Sequence, residues 1–155
     1  MIVLVMGVSG SGKTTIGRPL AERLGWRFID ADDYHPPENV AKMAAGVPLE
    51  DADRWPWLER LNELLREERN AIIACSALKE SYRQRLLAGI KDARVVYLHA
   101  EKKLIASRVK ARKHRYMPAS LLDSQFAALE PPRGAIDIDV AADPEACVER
   151  IISSL

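Results

Sequence analysis

The stretch Gly7-Val-Ser-Gly-Ser-Gly12-Lys13-Thr14 sets the expected fold of this chain. A continuous apolar run at residues 2–6 comes directly before it, which is the pattern of a strand buried on both faces. Apolar side chains then recur at helical spacing over residues 16–24, and Gly25 ends that helix. A strand, a glycine-rich turn and a helix in this order predict the first unit of an α/β domain.

The rest of the chain repeats this alternation. Further buried strands are predicted at residues 26–30, 71–75, 95–98 and 136–140. Helical patterns lie between them, and strands that alternate with helices indicate a parallel sheet covered on both faces. Pro19 falls inside the first helix, where it is expected to cause a bend. We therefore predict an α/β fold, a five-stranded parallel sheet flanked by helices, in one domain over residues 1–155.

Composition excludes several classes of protein. The 155 residues are 48% hydrophobic and 29% charged with a formal net charge of +1, whereas a nucleic-acid binder usually carries a basic excess. No apolar run approaches membrane-spanning length, and the N-terminal run lacks the basic leader of a signal peptide. Cys75 and Cys147 belong to no metal-binding pattern, so we expect buried free thiols. A cytoplasmic protein without nucleic-acid or membrane partners is predicted.

The glycine-rich stretch matches the pattern G-x-x-x-x-G-K-[ST] of a phosphate-binding loop. Glycines let the backbone approach phosphate oxygens, and the following helix points its positive end at the same anion. Lys13 can reach the β- and γ-phosphates of ATP, and the Thr14 hydroxyl can ligate Mg²⁺. The predicted phosphate-binding residues of the loop are Gly7, Ser9, Gly10, Ser11, Gly12, Lys13, Thr14 and Thr15. The alternative, an ordinary glycine turn, is disfavoured by the strand before it and the helix after it.

Acidic residues follow the second predicted strand. Asp30 and Asp32 lie at the carboxyl end of the sheet, where open α/β folds bind ligands. One carboxylate is expected to assist Mg²⁺ through water, and the other to accept a hydrogen bond from a substrate hydroxyl. Helix capping and turn formation are the structural alternative. The third strand is followed by Ser76 rather than Asp or Glu, which favours a small-molecule kinase over a motor or switch protein.

Several basic residues are candidates for binding an anionic substrate. Arg54, Lys79 and Arg83 each lie near the start of a predicted helix, and arginine can hold a carboxylate through two parallel hydrogen bonds. A solvated charged face is the alternative for these three. His35 follows the acidic cluster and is expected to contact the substrate.

A second basic group lies later in the chain. Arg108 and Arg112 share one helix face and lead into a basic break at residues 113–118. We predict a lid over residues 108–130 in which these arginines bind the phosphates, with Arg112 acting on the transferring group beside Lys13. A static basic loop is the alternative.

Longer blocks make the chain recognisable. Asp-Asp-Tyr-His-Pro-Pro-Glu-Asn at 32–39, Asp-Arg-Trp-Pro-Trp-Leu at 53–58 and Ser-Gln-Phe-x-x-Leu-Glu at 124–130 resemble gluconokinases, small P-loop sugar kinases related to shikimate kinase. The resemblance implies an adenylate-kinase-like P-loop NTPase fold, a substrate-binding segment at 33–65 and a homodimer. It further implies phosphorylation of D-gluconate to 6-phospho-D-gluconate with ATP and Mg²⁺.

The resemblance also implies roles for single residues. Asp32 matches the carboxylate that binds the substrate hydroxyl, and Arg54 and Lys79 match positions near the substrate. For Asp30 we predict the contact to Mg²⁺ through water, beside Thr14. His114, Arg115 and Tyr116 stand where the family usually has Gly-His-Phe in the lid.

Two other functions compete with this interpretation. One is a kinase of another small acid, such as shikimate, or of a nucleotide. The other is a non-catalytic nucleotide-binding switch, which would not need the acidic pair opposite the phosphate loop.

Overall fold

The computed structural model describes residues 1–111 and 119–155, and it confirms the α/β fold. The strands are β1 (Ile2–Met6), β2 (Arg27–Asp30), β3 (Ala71–Ala74), β4 (Ala93–His99) and β5 (Ile136–Asp139). The helices are α1 (Lys13–Leu24), α2 (Pro37–Ala44), α3 (Asp51–Arg66), α4 (Glu80–Leu86), α5 (Lys102–Ala111), α6 (Ala119–Ala128) and α7 (Pro144–Ser154). A 3₁₀ turn at Ala31–Tyr34 directly follows β2.

All five strands are parallel, in the order β2-β3-β1-β4-β5. β1 lies at the centre, with Ile2 opposite Ala71 of β3 on one side and Ala93 of β4 on the other. Every residue of β1 is buried, as its unbroken apolar run predicts. Because the strands are parallel, the segments that follow β1, β2 and β3 all leave the sheet at the same edge.

Alternate residues of β1 serve two cores, one on each face of the sheet. Ile2, Leu4 and Met6 pack with buried residues of α3 and α4. Val3 and Val5 pack on the opposite face with buried residues of α1 and α7. This is the two-residue period of a strand, and it explains why the strand has no polar position.

The segment after β3 departs from the prediction. The helical spacing of Leu78, Tyr82 and Leu86 predicts a helix that includes Leu78, but α4 begins only at Glu80. Ala77 has φ 44, a left-handed conformation that a helix does not contain. Leu78 instead packs in a separate cluster with Ile105, among other residues.

Both cysteines are free and buried, as predicted. Desolvation is the main reason that the pKa of the Cys75 thiol is raised to about 12, so this thiol stays protonated at neutral pH. Burial also raises the pKa of Cys147. None of the helices in the described ranges has the length and apolar character that crossing a bilayer requires.

The buried face of α3 gives a test of this packing. Leu61 is completely buried against the sheet, whereas Glu63 on the same helix is exposed. We expect Leu61→Ala to lower the free energy of unfolding by roughly 2–5 kcal/mol, because it removes buried methyl groups and leaves a cavity. Glu63→Ala should change it by less than about 0.5 kcal/mol. Urea denaturation of both variants makes the comparison, and equal stabilities would contradict the assignment of the buried face.

Candidate active site

A cavity of about 380 Å³ opens at the carboxyl edge of the sheet. The phosphate loop and the start of α1 form one wall, and the segment after β2 forms the opposite one. α3, the segment after β3 and α6 close the sides. The polar residues that line the cavity are Ser9, Lys13, Thr14, Asp30, Asp32, His35, Arg54, Ser76, Tyr82, Ser124 and Gln125.

The phosphate loop has the backbone geometry that the glycines predict. Gly12, immediately before α1, has φ 94 and ψ 26, a left-handed conformation that disfavours side chains. A Cβ at Gly7 would lie 2.5 Å from Ser11 Oγ and 2.7 Å from the Leu98 carbonyl oxygen, so no side chain fits there. The first turn of α1 has no acidic residue and no side-chain cap. Its amides therefore suit an external anion such as phosphate.

Lys13 lies across the mouth of this loop. Its Nζ donates hydrogen bonds to the carbonyl oxygens of Gly7 (3.0 Å) and Val8 (3.1 Å). Desolvation lowers the pKa of Lys13, while the negative charges of Asp32 and Asp30 act in the opposite direction. The lysine and the acidic pair are thus electrostatically coupled across one cavity, although they are far apart in the sequence.

Asp30 and Asp32 form the local turn contacts of the structural alternative, and they also line the cavity. Asp30 is the N-cap of the 3₁₀ turn, and its Oδ1 accepts a hydrogen bond from the Asp32 amide at 3.0 Å. Both carboxyl groups also line the cavity. The Asp32 side chain is 57% exposed, which leaves it accessible to a ligand.

The donor set fits Mg²⁺, which binds proteins through one or two oxygen ligands and keeps water and substrate phosphates as the others. Thr14 offers a hydroxyl, and Asp30 and Asp32 offer carboxylates, in the same cavity. In the described part of the chain no three His, Cys, Asp or Glu residues cluster as a metal cage. A site shared with a nucleotide needs no such cage.

His35 forms part of the wall beside Asp32. Its ring stacks on Trp57, with 4.0 Å between the ring centroids and 17° between the planes. Its Nε2 lies 3.5 Å from Asp32 Oδ1, and the side chain is only 2% exposed. The histidine therefore lies next to the acidic pair, and little of its surface faces solvent; its predicted contact with the substrate stays a prediction.

Arg54 projects into the cavity from the first turns of α3. Its Nη1 donates to the Leu49 carbonyl oxygen (2.8 Å) and to the Tyr82 hydroxyl (3.2 Å). The Tyr82 hydroxyl in turn donates to Asp51 Oδ1 at 2.5 Å. Desolvation and this hydrogen bond raise the pKa of Tyr82 to about 12, so the phenol stays neutral. Sequence reasoning placed Tyr82 in the core and missed its hydroxyl in the site.

Lys79 and Arg83 do not line the cavity. Lys79 Nζ lies 5.7 Å from the centroid of the Tyr82 ring, which itself lines the cavity. Arg83 is buried, and it donates to the carbonyl oxygens of Ala77 (2.7 Å) and Glu130 (2.8 Å) and pairs with Glu80. The prediction of Arg83 as a substrate ligand is corrected accordingly: its guanidinium joins two segments of the protein.

α6 forms part of the cavity wall, although none of its residues was predicted as a site residue. Leu121, Ser124 and Gln125 line the cavity, and Gln125 Oε1 accepts a hydrogen bond from the Ser9 amide of the phosphate loop at 2.7 Å. The only signal for it in the sequence was the Ser-Gln-Phe block.

The predicted lid is described only in part. Arg108 lies on α5 outside the cavity lining, and its positive charge acts on the Cys147 thiol in α7. Arg112 and the group His114, Arg115 and Tyr116 lie outside the described residues.

Comparisons with known proteins agree with this geometry. Residues 9–127 match the family model described as shikimate kinase. A probable gluconokinase of Xenopus tropicalis is 45% identical over 90% of this chain and 86% of its own length. A gluconokinase of Gluconobacter oxydans is 43% identical over 97% of this chain and 88% of its own.

A solved structure gives the same result in three dimensions. The crystal structure of a gluconokinase from Sinorhizobium meliloti superposes with a TM-score of 0.90 at 42% identity, covering 97% of this chain and 89% of that one. Similarity of this extent in both sequence and fold identifies the chain as a P-loop kinase, and it belongs to the gluconokinase family.

Proposed function

We propose that this protein transfers the γ-phosphoryl group of ATP to a hydroxyl of D-gluconate, giving 6-phospho-D-gluconate and ADP. The observation that carries the proposal is that Lys13, Thr14, Asp32 and Arg54 line one cavity. A lysine and loop suited to phosphate, a carboxylate and a guanidinium in one cavity support a reaction with a small anionic acceptor. The gluconokinase relatives supply the identity of the acceptor.

The chemistry assigned to these residues is direct transfer. The acceptor oxygen forms a bond to the γ-phosphorus while the bond to the β-phosphate oxygen breaks, and the hydroxyl proton passes to the Asp32 carboxylate. The loop amides and Lys13 offset the negative charge of the phosphates. Mg²⁺, held by Thr14 and by Asp30 through water, would supply further charge compensation there. Arg112 is proposed to act on the transferring group, as the sequence predicted.

Arg54 is proposed to bind the gluconate carboxylate. Its Nη1 is oriented by the Leu49 carbonyl oxygen and the Tyr82 hydroxyl, so the guanidinium is held in place before substrate arrives. A planar guanidinium can form two parallel hydrogen bonds with a carboxylate, and an ammonium group cannot. Lys79, whose Nζ lies 5.7 Å from the Tyr82 ring centroid, is proposed to add positive potential at this end of the cavity.

The remaining predictions form part of the same proposal. The segment 33–65 is proposed to bind the acceptor, and the segment 108–130 to close over it. A homodimer in the cytoplasm, without nucleic-acid or membrane partners, is proposed from the family resemblance and the balanced charge.

The direct test is ADP release with and without an acceptor. Purified protein with ATP and Mg²⁺ should release ADP quickly with D-gluconate, slowly with shikimate or nucleoside monophosphates, and negligibly without an acceptor. Mass spectrometry of the product should show a singly phosphorylated gluconate. Preference for shikimate or a nucleotide would establish the competing kinase interpretation, and acceptor-independent hydrolysis would favour a nucleotide switch.

Asp32→Asn tests the proton acceptor. We expect kcat to fall by roughly 10²–10⁴-fold, the usual contribution of a positioned acid–base group, with ATP affinity nearly unchanged. Asp33→Asn is the matched control, because Asp33 is adjacent in sequence but does not line the cavity. It should retain nearly full activity. An Asp32→Asn enzyme with wild-type turnover would remove Asp32 from the mechanism.

Arg54→Lys tests carboxylate recognition. Hydrogen bonds between charged groups contribute about 1.5–3 kcal/mol each, so loss of the paired geometry should raise the KM for gluconate roughly 10–100-fold. The KM for ATP should stay the same. Arg60→Lys, an exposed cation on the same helix that lies outside the cavity, serves as control. An unchanged KM for gluconate in the Arg54 variant would show that the carboxylate binds elsewhere.

A further inference from the structure

The contacts of the His35 ring indicate how this side chain acts in the site. The ring has two nitrogens, and each lies near a polar atom of the protein. Nδ1 is 3.1 Å from Asn39 Nδ2, and Nε2 is 3.5 Å from Asp32 Oδ1. The side chain is 2% exposed, so a ligand can reach very little of it.

Asn39 determines which nitrogen of the ring carries the proton. The amide is buried, and its Nδ2 also donates to the Asp53 carbonyl oxygen at 2.9 Å. A carbonyl oxygen only accepts, so the amide cannot be turned with Oδ1 toward Asp53. The amide nitrogen therefore faces the ring, and His35 Nδ1 must accept. In the neutral ring the hydrogen then lies on Nε2, the nitrogen that is 3.5 Å from Asp32 Oδ1.

Trp57 fixes the position of the ring. The indole stacks on His35 at 4.0 Å, and its Nε1 donates to the Ala31 carbonyl oxygen at 2.8 Å. Ala31 immediately precedes Asp32, so one indole holds both the imidazole and the backbone that carries the carboxylate. Neither the ring nor the Asp32 backbone can move without breaking a contact to Trp57.

We propose that His35 is a positioning residue for Asp32, which donates from Nε2–H to the carboxylate and does not bind the acceptor. The inference rests on the proposed function, because it assigns how that reaction's carboxylate is aimed. The Asp32 side chain is 57% exposed, so its carboxylate stays accessible to an acceptor while His35 lies beside it. The 3.5 Å separation is long for a hydrogen bond, and catalytic hydrogen bonds commonly shorten when substrate binds.

A positioning role predicts that a His35 variant changes kcat and leaves the KM values nearly unchanged. His35→Phe keeps an aromatic ring on Trp57 but removes the donor to Asp32. We expect kcat to fall roughly 10–100-fold, the effect of a misdirected catalytic group, while KM for ATP and for the acceptor changes less than about 3-fold. His35→Gln can place an amide N–H near the position of Nε2, and it should recover most of the lost kcat. Thermal unfolding of each variant checks that it is folded at the assay temperature.

A double variant, His35→Phe with Asp32→Asn, distinguishes a positioning role of His35 from a direct role. If His35 acts through Asp32, then His35→Phe should change kcat less than about 3-fold in an Asp32→Asn background, because the group to be aimed is already lost. An equal loss in both backgrounds would overturn the proposal. So would a higher KM for the acceptor with kcat unchanged, since that is the result expected of a substrate ligand.

A spectroscopic readout makes the test independent of the acceptor. Long-range ¹H–¹⁵N spectra of the three histidine side chains, with His35 assigned from its loss in His35→Gln, report which ring nitrogen is protonated. We expect the Nε2–H tautomer for His35, and the Nδ1–H tautomer would overturn the proposal. If gluconate is not phosphorylated, the proposed function fails, whereas this spectrum still tests whether Nε2 carries the hydrogen that the positioning role requires.

Discussion

The placement of β3 between β1 and β2 is the constraint on which the active site depends. The phosphate loop follows β1 and the acidic pair follows β2, yet β3 pairs with both strands. Neighbouring strands lie about 4.8 Å apart, so two spacings set the loop and the carboxylates roughly 10 Å from each other. That gap accommodates a phosphoryl group and an acceptor hydroxyl in line. Direct pairing of β1 with β2 would bring the carboxylates against the phosphates and leave no room for the acceptor.

Helix α3 forms one side of the cavity in this gap and contributes side chains to it. Arg54 and Trp57 are three residues apart, so they share a face of the helix, and both reach the cavity. Further along the helix, Leu58, Leu61 and Leu65 are buried against the sheet. The same helix therefore anchors itself by its apolar face and presents a cation and an indole from its first turns. Its packing therefore determines where the Arg54 guanidinium and the Trp57 indole lie in the cavity.

The features that could be predicted from the sequence are those that depend on local patterns. The phosphate loop, the five strands and the acidic pair each depend on short-range spacing, and the structure contains them where the sequence placed them. Contacts between distant segments were not predictable in the same way. The Tyr82 hydroxyl meets Asp51 across 31 residues, and Gln125 meets Ser9 across 116. Charge alone made Arg83 a candidate ligand, because no sequence pattern reveals that its partners are carbonyl oxygens at Ala77 and Glu130.

The buried Arg83 also bears on how the segment 108–130 can move. Its guanidinium holds the Glu130 carbonyl oxygen, and the Glu130 amide donates to the Leu78 carbonyl oxygen at 2.7 Å. Glu130 Oε1 accepts from the Glu80 amide at 2.9 Å, so three hydrogen bonds fix the chain just after α6 to Leu78 and to α4. An arginine buried in this way is costly to displace, because its charge would lose its partners. If the segment closes over the substrate as proposed, these bonds hold its C-terminal end at Glu130, so the closing motion involves residues before it.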